Sequence, residues 1–188
     1  MTTRGCSACA RVRRRFFALF DFLRDRVAVL DGGQVAQLSD PDTVYNRPAS
    51  VRVARFLDCY NIFDGHIEAN GQFGSGSVTL ACPAGLDPTP VPATYCARVD
   101  TMRAVEPGVE AMPNQASIQA RYVTSEYAGR TVTHFFRLDD GKMVEVEYHL
   151  HLRRPEEFRV GGEYALRWPV EQALVFRERP AAAAAAAE

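Results

Sequence analysis

The chain has 188 residues, with 22 Lys and Arg against 23 Asp and Glu and a net charge of −1. That length suits one domain plus an appendage, and an apolar share of 47% is enough for a packed core. The balanced charge excludes a general electrostatic attraction to nucleic acid or to an anionic membrane, so any polyanion contact would have to be local.

The first 24 residues show neither helical nor strand period over their start. Arg4, Arg11, Arg13, Arg14 and Arg15 precede the run Phe16-Phe17-Ala18-Leu19-Phe20. A basic stretch before an apolar one imitates a secretory signal. Here Asp21, Arg24 and Asp25 break the apolar part too early, and no small-residue cleavage site follows. No segment approaches the roughly 20 apolar residues of a membrane span. Five cysteines, an odd number, fit a reducing compartment better than a disulfide framework. The chain is therefore read as cytosolic. Cys6-Ser7-Ala8-Cys9 has the spacing of half a metal site, but no second ligand pair completes it. Residues 16–24 are expected to form a short helix with Phe16, Phe17, Phe20 and Leu23 near one face.

Val27-Ala28-Val29-Leu30 reads as a buried strand, too short and too β-branched for a helix. Asp31-Gly32-Gly33 tolerates positive φ, and Gln34 to Leu38 alternates as a return strand should, which predicts a hairpin. Glycines that cradle phosphate lead into a helix N-terminus, whereas these lead into a strand. Asp40 or Ser39 then caps a helix with Pro41 at its first position and Val44 and Tyr45 on one face. Ser50 caps a second helix in which Val53, Phe56 and Leu57 are expected to share a face.

From Asn61 the period changes to two. Strands are expected near 62–69, 76–81, 93–99, 116–124, 131–138, 143–152, 163–168 and 172–177, separated by turn residues such as Asn70-Gly71 and Gly161-Gly162. Strands this short and this closely spaced argue for a small all-β barrel or sandwich. The clearest hairpin runs from Thr131 to Leu150 around Asp140-Gly141. The tail, Pro180 to Glu188 with seven alanines, is low-complexity.

No Gly-x-x-x-x-Gly-Lys-Ser/Thr loop exists; the one Gly-Lys, Gly141-Lys142, lies in the predicted hairpin turn. A Gly-x-Ser-x-Gly elbow is missing too. No catalytic or cofactor-binding residue is therefore assigned. One constellation could hold a metal: on a strand, Glu145, Glu147, His149 and His151 share a face, opposite Val144, Val146, Tyr148, Leu150 and Leu152. The competing reading is a solvated face opposite a core face, because ligands spread along one strand need a neighbour to converge on an ion. His66 and His134 read as ordinary, partly buried histidines. Trp168, Tyr164 and Leu166 read as barrel packing rather than a base-stacking platform.

The text between residues 25 and 65 carries a resemblance. Asp25-Arg26-Val27-Ala28-Val29-Leu30-Asp31-Gly32-Gly33, then Gln37-Leu38-Ser39-Asp40-Pro41-Asp42-Thr43-Val44-Tyr45-Asn46-Arg47-Pro48, then Val53-Ala54-Arg55-Phe56-Leu57 and Asn61-Ile62-Phe63-Asp64-Gly65 resemble the end of the ATP-binding subunit of bacterial ABC importers. The later stretches Cys96 to Arg103, Tyr127-Ala128-Gly129, Leu138 to Gly141 and Gly161 to Trp168 fit the TOBE domain of that family more loosely. Asn61 and the Tyr-x-Arg-Pro stretch are most similar to polyamine or ferric-iron importers.

The resemblance implies a mainly β fold: a small OB-like β-barrel, the TOBE domain, preceded by a strand hairpin and two short helices from the end of an ABC ATPase domain. It divides the chain into 1–24, a non-matching and disordered start; 25–60, a remnant of the nucleotide-binding domain; 61–178, the TOBE-like barrel; and 179–188, the Ala-rich tail. It implies a regulatory and dimerising part of a subunit that couples ATP hydrolysis to solute import. Its partners would be permease subunits and a second ATP-binding subunit in a homodimer, with a small regulatory ligand such as an oxyanion and no nucleic acid. Its place would be cytoplasmic, peripheral on the inner face of the bacterial plasma membrane.

The family's Thr-His-Asp stretch has no counterpart, since Arg14-Arg15-Phe16-Phe17 stands there. Walker A, Q-loop, signature helix and Walker B are absent as well, so this chain is expected to be inactive alone. ATP and Mg belong to the intact family, and no cofactor is expected in this chain. The alternative is a free-standing small-anion or metal-binding sensor module.

Overall fold

The computed structural model describes residues 26–76, 78–150 and 157–178. The expected helix over 16–24, the non-matching start and the Ala-rich tail lie outside the described residues. The chain divides into two units, Met1–Tyr60 and Asn61–Glu188.

In the first unit, β1 (Val27–Asp31) and β2 (Gln34–Ser39) pair antiparallel with Ala28 opposite Leu38 and Leu30 opposite Val35. The turn between them needs two residues of positive φ, and Gly32 and Gly33 supply φ of 58° and 82°. The helix α1 (Pro41–Asn46) starts where Asp40 accepts a hydrogen bond from Thr43 N at 2.9 Å. The helix α2 (Val51–Leu57) starts at Ser50, which accepts from Val53 N at 3.3 Å, and ends at Asp58 in the left-handed region. The amide of Gln37 is buried; it accepts from Ala49 N at 2.8 Å and donates to Arg47 O at 3.1 Å, tying the hairpin to the link between the helices.

One expectation about α2 fails. The helix buries Val53, Ala54 and Leu57, whereas Phe56 is 56% exposed. At about 100° per residue, positions 53, 54 and 57 span one narrow sector and position 56 points well away from its centre.

The second unit holds two five-stranded sheets, in the orders β10-β9-β8-β11-β7 and β12-β6-β3-β4-β5. Their strands are β3 (Tyr60–Ile67), β4 (Phe73–Ser75), β5 (Val78–Leu80), β6 (Val91–Arg98), β7 (Arg103–Val105), β8 (Gln115–Ala128), β9 (Thr131–Arg137), β10 (Met143–His149), β11 (Glu163–Pro169) and β12 (Leu174–Arg177). The mainly β fold expected from the period is the one observed. The run near 76–81 shortens to the three-residue β5, and β4, just before it, was not anticipated. The strand β7 was not anticipated, because three residues are too few to show a period. The stretch expected to begin a strand at 172 first makes a 3-10 turn over Val170–Gln172.

The core gathers side chains from both sheets, among them Phe63, Phe73, Tyr95, Phe136, Leu166 and Trp168, each at most 1% exposed. Trp168 Nε1 donates to the Tyr95 hydroxyl at 3.0 Å, so the indole is buried without losing its one hydrogen bond. Burial pushes the Tyr95 phenol well above its usual range. These rings lie where a barrel filler would, as the alternation of Tyr164, Leu166 and Trp168 implied. Asp140-Gly141 turns the β9–β10 hairpin as expected, with Gly141 at φ 87° and Leu138 N donating to Lys142 O at 2.9 Å.

Candidate functional site

The strand β10 shows the alternation read from its sequence. Val144, Val146 and Tyr148 are buried, while Glu145 and Glu147 are half-buried and His149 is exposed. Across the ladder, Glu145, Glu147 and His149 face Phe135, Thr133 and Thr131 on β9, none of which is a strong metal ligand. Same-face neighbours along a strand stand about 6.6 Å apart, too far to share one ion without side chains converging from elsewhere. Among the described residues, no three His, Cys, Asp or Glu side chains gather closely enough to hold a metal ion. His151 lies outside the described residues.

The histidine that the structure sets apart is His134, read from sequence as partly buried and found 1% exposed. His66, read the same way, is exposed. His134 Nδ1 stands 2.6 Å from Ser125 Oγ, which stands 2.5 Å from the Tyr122 hydroxyl. The three groups meet because of a bulge. Tyr122 pairs with Phe136 and Thr124 with Phe135, so the register shifts by one residue between them. Without that extra residue, Tyr122 and Ser125, three apart, would point to opposite faces. A bulge leaves no period signature, which is why the sequence did not show this cluster.

Aromatic rings box the imidazole. Phe158, Tyr148 and Tyr122 have centroids 4.8, 5.3 and 6.2 Å from it. Nε2 is buried and meets no hydrogen-bond partner among the described residues. Burial pushes the His134 pKa below its ordinary value, favouring the neutral ring. A serine beside a histidine suggests a nucleophile, but here the third group is a phenol on the serine rather than an acid orienting the histidine. Tyr122 and His134 are buried and Ser125 is half-buried, so the hydrogen-bonded chain Tyr122-Ser125-His134 packs at the edge of the core.

Phe158 also borders an open cleft of about 660 Å³ lined by Glu106, Glu157, Glu163, Arg159 and Tyr164. Glu163 is engaged by Arg121 at 2.8 Å, and the Tyr164 hydroxyl accepts from Arg159 N at 2.9 Å. The cleft is acidic at Glu106, Glu157 and Glu163 and aromatic at Phe158 and Tyr164.

The comparisons with known proteins bear on this barrel. Residues 98–176 match the family model described as the TOBE domain. That stretch, under half of the chain, is similar to a TOBE domain. The chain is similar to ATP-binding subunits of ABC importers. A sulfate/thiosulfate import ATP-binding protein of Caulobacter vibrioides is 33% identical over 97 residues, which are 52% of this chain and 27% of the relative. A spermidine/putrescine import ATP-binding protein of Rubrobacter xylanophilus is 27% identical over 161 residues, 81% of this chain and 41% of the relative. The chain thus spans well under half the length of these relatives. Among solved structures, the molybdate-bound cytoplasmic molybdate-binding protein ModG has a TM-score of 0.50 at 10% identity, covering 63% of this chain and 96% of that one. That likeness is one of fold. It agrees with the OB-type barrel expected for a TOBE domain. No helix among the described residues is long and apolar enough to cross a membrane.

Proposed function

We propose that this chain supplies the TOBE-bearing, regulatory and dimerising part of an ABC importer's ATP-binding subunit and hydrolyses no ATP by itself. The observation that carries the reading is the TOBE match over residues 98–176, joined to a relative aligned over 81% of the chain. Support also comes from the sequence, which has no Walker A loop. Its partners in this reading are permease subunits and a second ATP-binding subunit, on the cytoplasmic face of a bacterial inner membrane. ATP and Mg would be bound by the nucleotide domain of an intact subunit, not by residues of this chain. The relatives include both polyamine and sulfate importers. The proposal of a polyamine or ferric-iron solute therefore rests on Asn61 and the Tyr-x-Arg-Pro stretch alone.

The test is a thermal melt of the purified chain against MgATP, molybdate, sulfate, phosphate, zinc and spermidine, with an ATPase assay alongside. Any ligand that binds the folded state alone raises Tm with its concentration. The proposal expects no turnover and no shift with MgATP; a shift or turnover with MgATP would overturn it. A shift with an oxyanion or with zinc but with no other ligand would favour the second reading, a free-standing small-anion or metal-binding sensor module.

A further inference from the structure

Phe158 belongs to two places at once. It lines the open cleft of about 660 Å³, and its ring packs edge-to-face against His134 with centroids 4.8 Å apart. It also meets Tyr122, Phe136 and Tyr164, at 5.3, 5.4 and 4.9 Å. Its neighbours Glu157, Arg159 and Val160 are exposed. The turn they form is held by Arg159 N, which donates to the Tyr164 hydroxyl at 2.9 Å, by Gly161 N, which donates to Tyr122 O at 2.9 Å, and by Gly162 N, which donates to Arg159 O at 2.8 Å. Phe158 is thus the apolar anchor of a turn that otherwise lies in water.

Beneath the anchor, His134 is 1% exposed. Its Nδ1 has Ser125 Oγ at 2.6 Å, a hydroxyl able to donate or accept, so either neutral tautomer is accommodated there. Its Nε2 is buried and has no hydrogen-bond partner among the described residues. A second ring proton makes both nitrogens donors and leaves a charged N–H without an acceptor, which costs far more than an unpaired neutral group. No opposite charge faces the ring among the described residues. Against it stand Tyr122 and Ser125 from β8, Tyr148 from β10 and Phe158 from the turn. The carboxylates of those strands, Glu126, Glu145 and Glu147, lie level with Thr133 or Phe135, the residues either side of His134, and so on the other face. Glu157 and Arg159, either side of Phe158, are exposed.

We infer that His134 and Phe158 form an acid-operated latch: a second proton on the imidazole displaces the Phe158 ring, frees the turn Glu157–Gly162 and lets water from the cleft reach Nε2. Water is the acceptor that the aromatic box lacks, and Phe158 lies between that box and the cleft. With the latch open the solvated ring titrates near its ordinary 6.5, whereas burial holds the closed ring below that value. Opening therefore takes up one proton. It is independent of pH near and above neutrality and grows by up to about tenfold per pH unit below 6.5, until the closed ring itself is protonated.

Amide hydrogen exchange of the full chain, followed by mass spectrometry between about pH 7.5 and 5 and corrected for intrinsic rates, tests the latch. Protection of the segment 157–162 should be flat near neutral pH and fall by up to about tenfold per unit below 6.5, while β3 and β6 keep theirs. His134→Gln keeps a polar side chain that does not titrate and should abolish that pH dependence. Phe158→Ala, at a half-buried position outside the strands, should leave the segment weakly protected at every pH. Protection that stays flat in the wild type, a fall that persists in His134→Gln, or a loss that coincides with that of β3 and β6 would each overturn the inference.

Discussion

The side-chain amide of Asn61 pairs with both backbone groups of Glu145: Asn61 Nδ2 donates to Glu145 O at 2.7 Å, and Glu145 N donates to Asn61 Oδ1 at 2.8 Å. The strand β10 is the outer strand of its sheet, and an outer strand presents unpaired N–H and C=O groups. Asn61 imitates the missing neighbouring strand at that point. Two residues on, Glu147 N donates to Val99 O at 2.9 Å, so the edge is held by backbone as well. The two contacts join the start of β3 and the residue after β6, both from interior strands of one sheet, to the edge strand β10 of the other.

Asn61→Ala should therefore destabilise the barrel by about 1–3 kcal/mol, the usual cost of leaving half-buried backbone groups without partners. Asn61→Asp should be no milder, because a carboxylate cannot donate to the Glu145 carbonyl. Urea unfolding of the three chains measures this. Equal midpoints for wild type and Asn61→Ala would show that water replaces the amide at no cost.

Gly65 lies in β3 with Asn61, where a Cβ would sit 2.1 Å from the carbonyl oxygen of Gly74 and 2.8 Å from the Phe73 ring. Backbone cannot step aside as a side-chain tip can, so Gly65→Ala should cost at least about 1–3 kcal/mol and broaden the unfolding transition. Gly74→Ala is the contrast: its Cβ would meet Glu68 Oε1 at 2.3 Å, the far end of a flexible side chain. Its effect should be the smaller, and a reversed order in Tm would refute the close-approach argument.

Stability should fall with pH through His134. The groups packed around its ring, Tyr122, Ser125, Tyr148 and Phe158, carry no charge at neutral pH and cannot stabilise an imidazolium. Burial lowers the folded pKa below the ordinary 6.5, so below that pH the unfolded chain binds the extra proton more readily than the folded one. The contribution is complete above about 6.5 and is lost as pH falls toward the folded value. His134→Phe should flatten the pH dependence of Tm between neutral pH and 5 while losing the bond to Ser125. An undiminished slope in that variant would assign the dependence to another group.

Trp168 is the one tryptophan and is 1% exposed. Its emission should be blue-shifted in the native state and move to the red together with the loss of strand signal on unfolding. Trp168→Phe leaves a void beside Tyr95 and removes the indole's bond to that hydroxyl, an expected loss of about 1–3 kcal/mol.

The sequence was most informative where a local rule has one structural solution. Asp31-Gly32-Gly33, the caps Asp40 and Ser50, and the turn at Asp140-Gly141 each name a residue whose conformational freedom or side-chain oxygen is needed at that position, and each does the expected work. The face of α2 was less legible, because seven residues leave the sector of a helix poorly defined and Phe56 is large enough to suggest burial by itself. Glu145, Glu147 and His149 were correctly placed on one face of β10, but which groups stand across from them depends on the partner strand. That pairing brought Phe135, Thr133 and Thr131.

Period-two alternation and turn residues, read along the chain, determined a mainly β barrel behind a hairpin and two helices, since pleat and turn geometry depend only on neighbours in sequence. Tertiary structure alone decided three things. The bulge after Tyr122 brings Ser125 to His134, Asn61 finds Glu145 from 84 residues away, and Leu30, Val35 and Phe56 are left as one apolar surface. Each depends on register or on the meeting of distant segments, and the energy of such meetings lies in packing and hydrogen bonds between residues that no local pattern links.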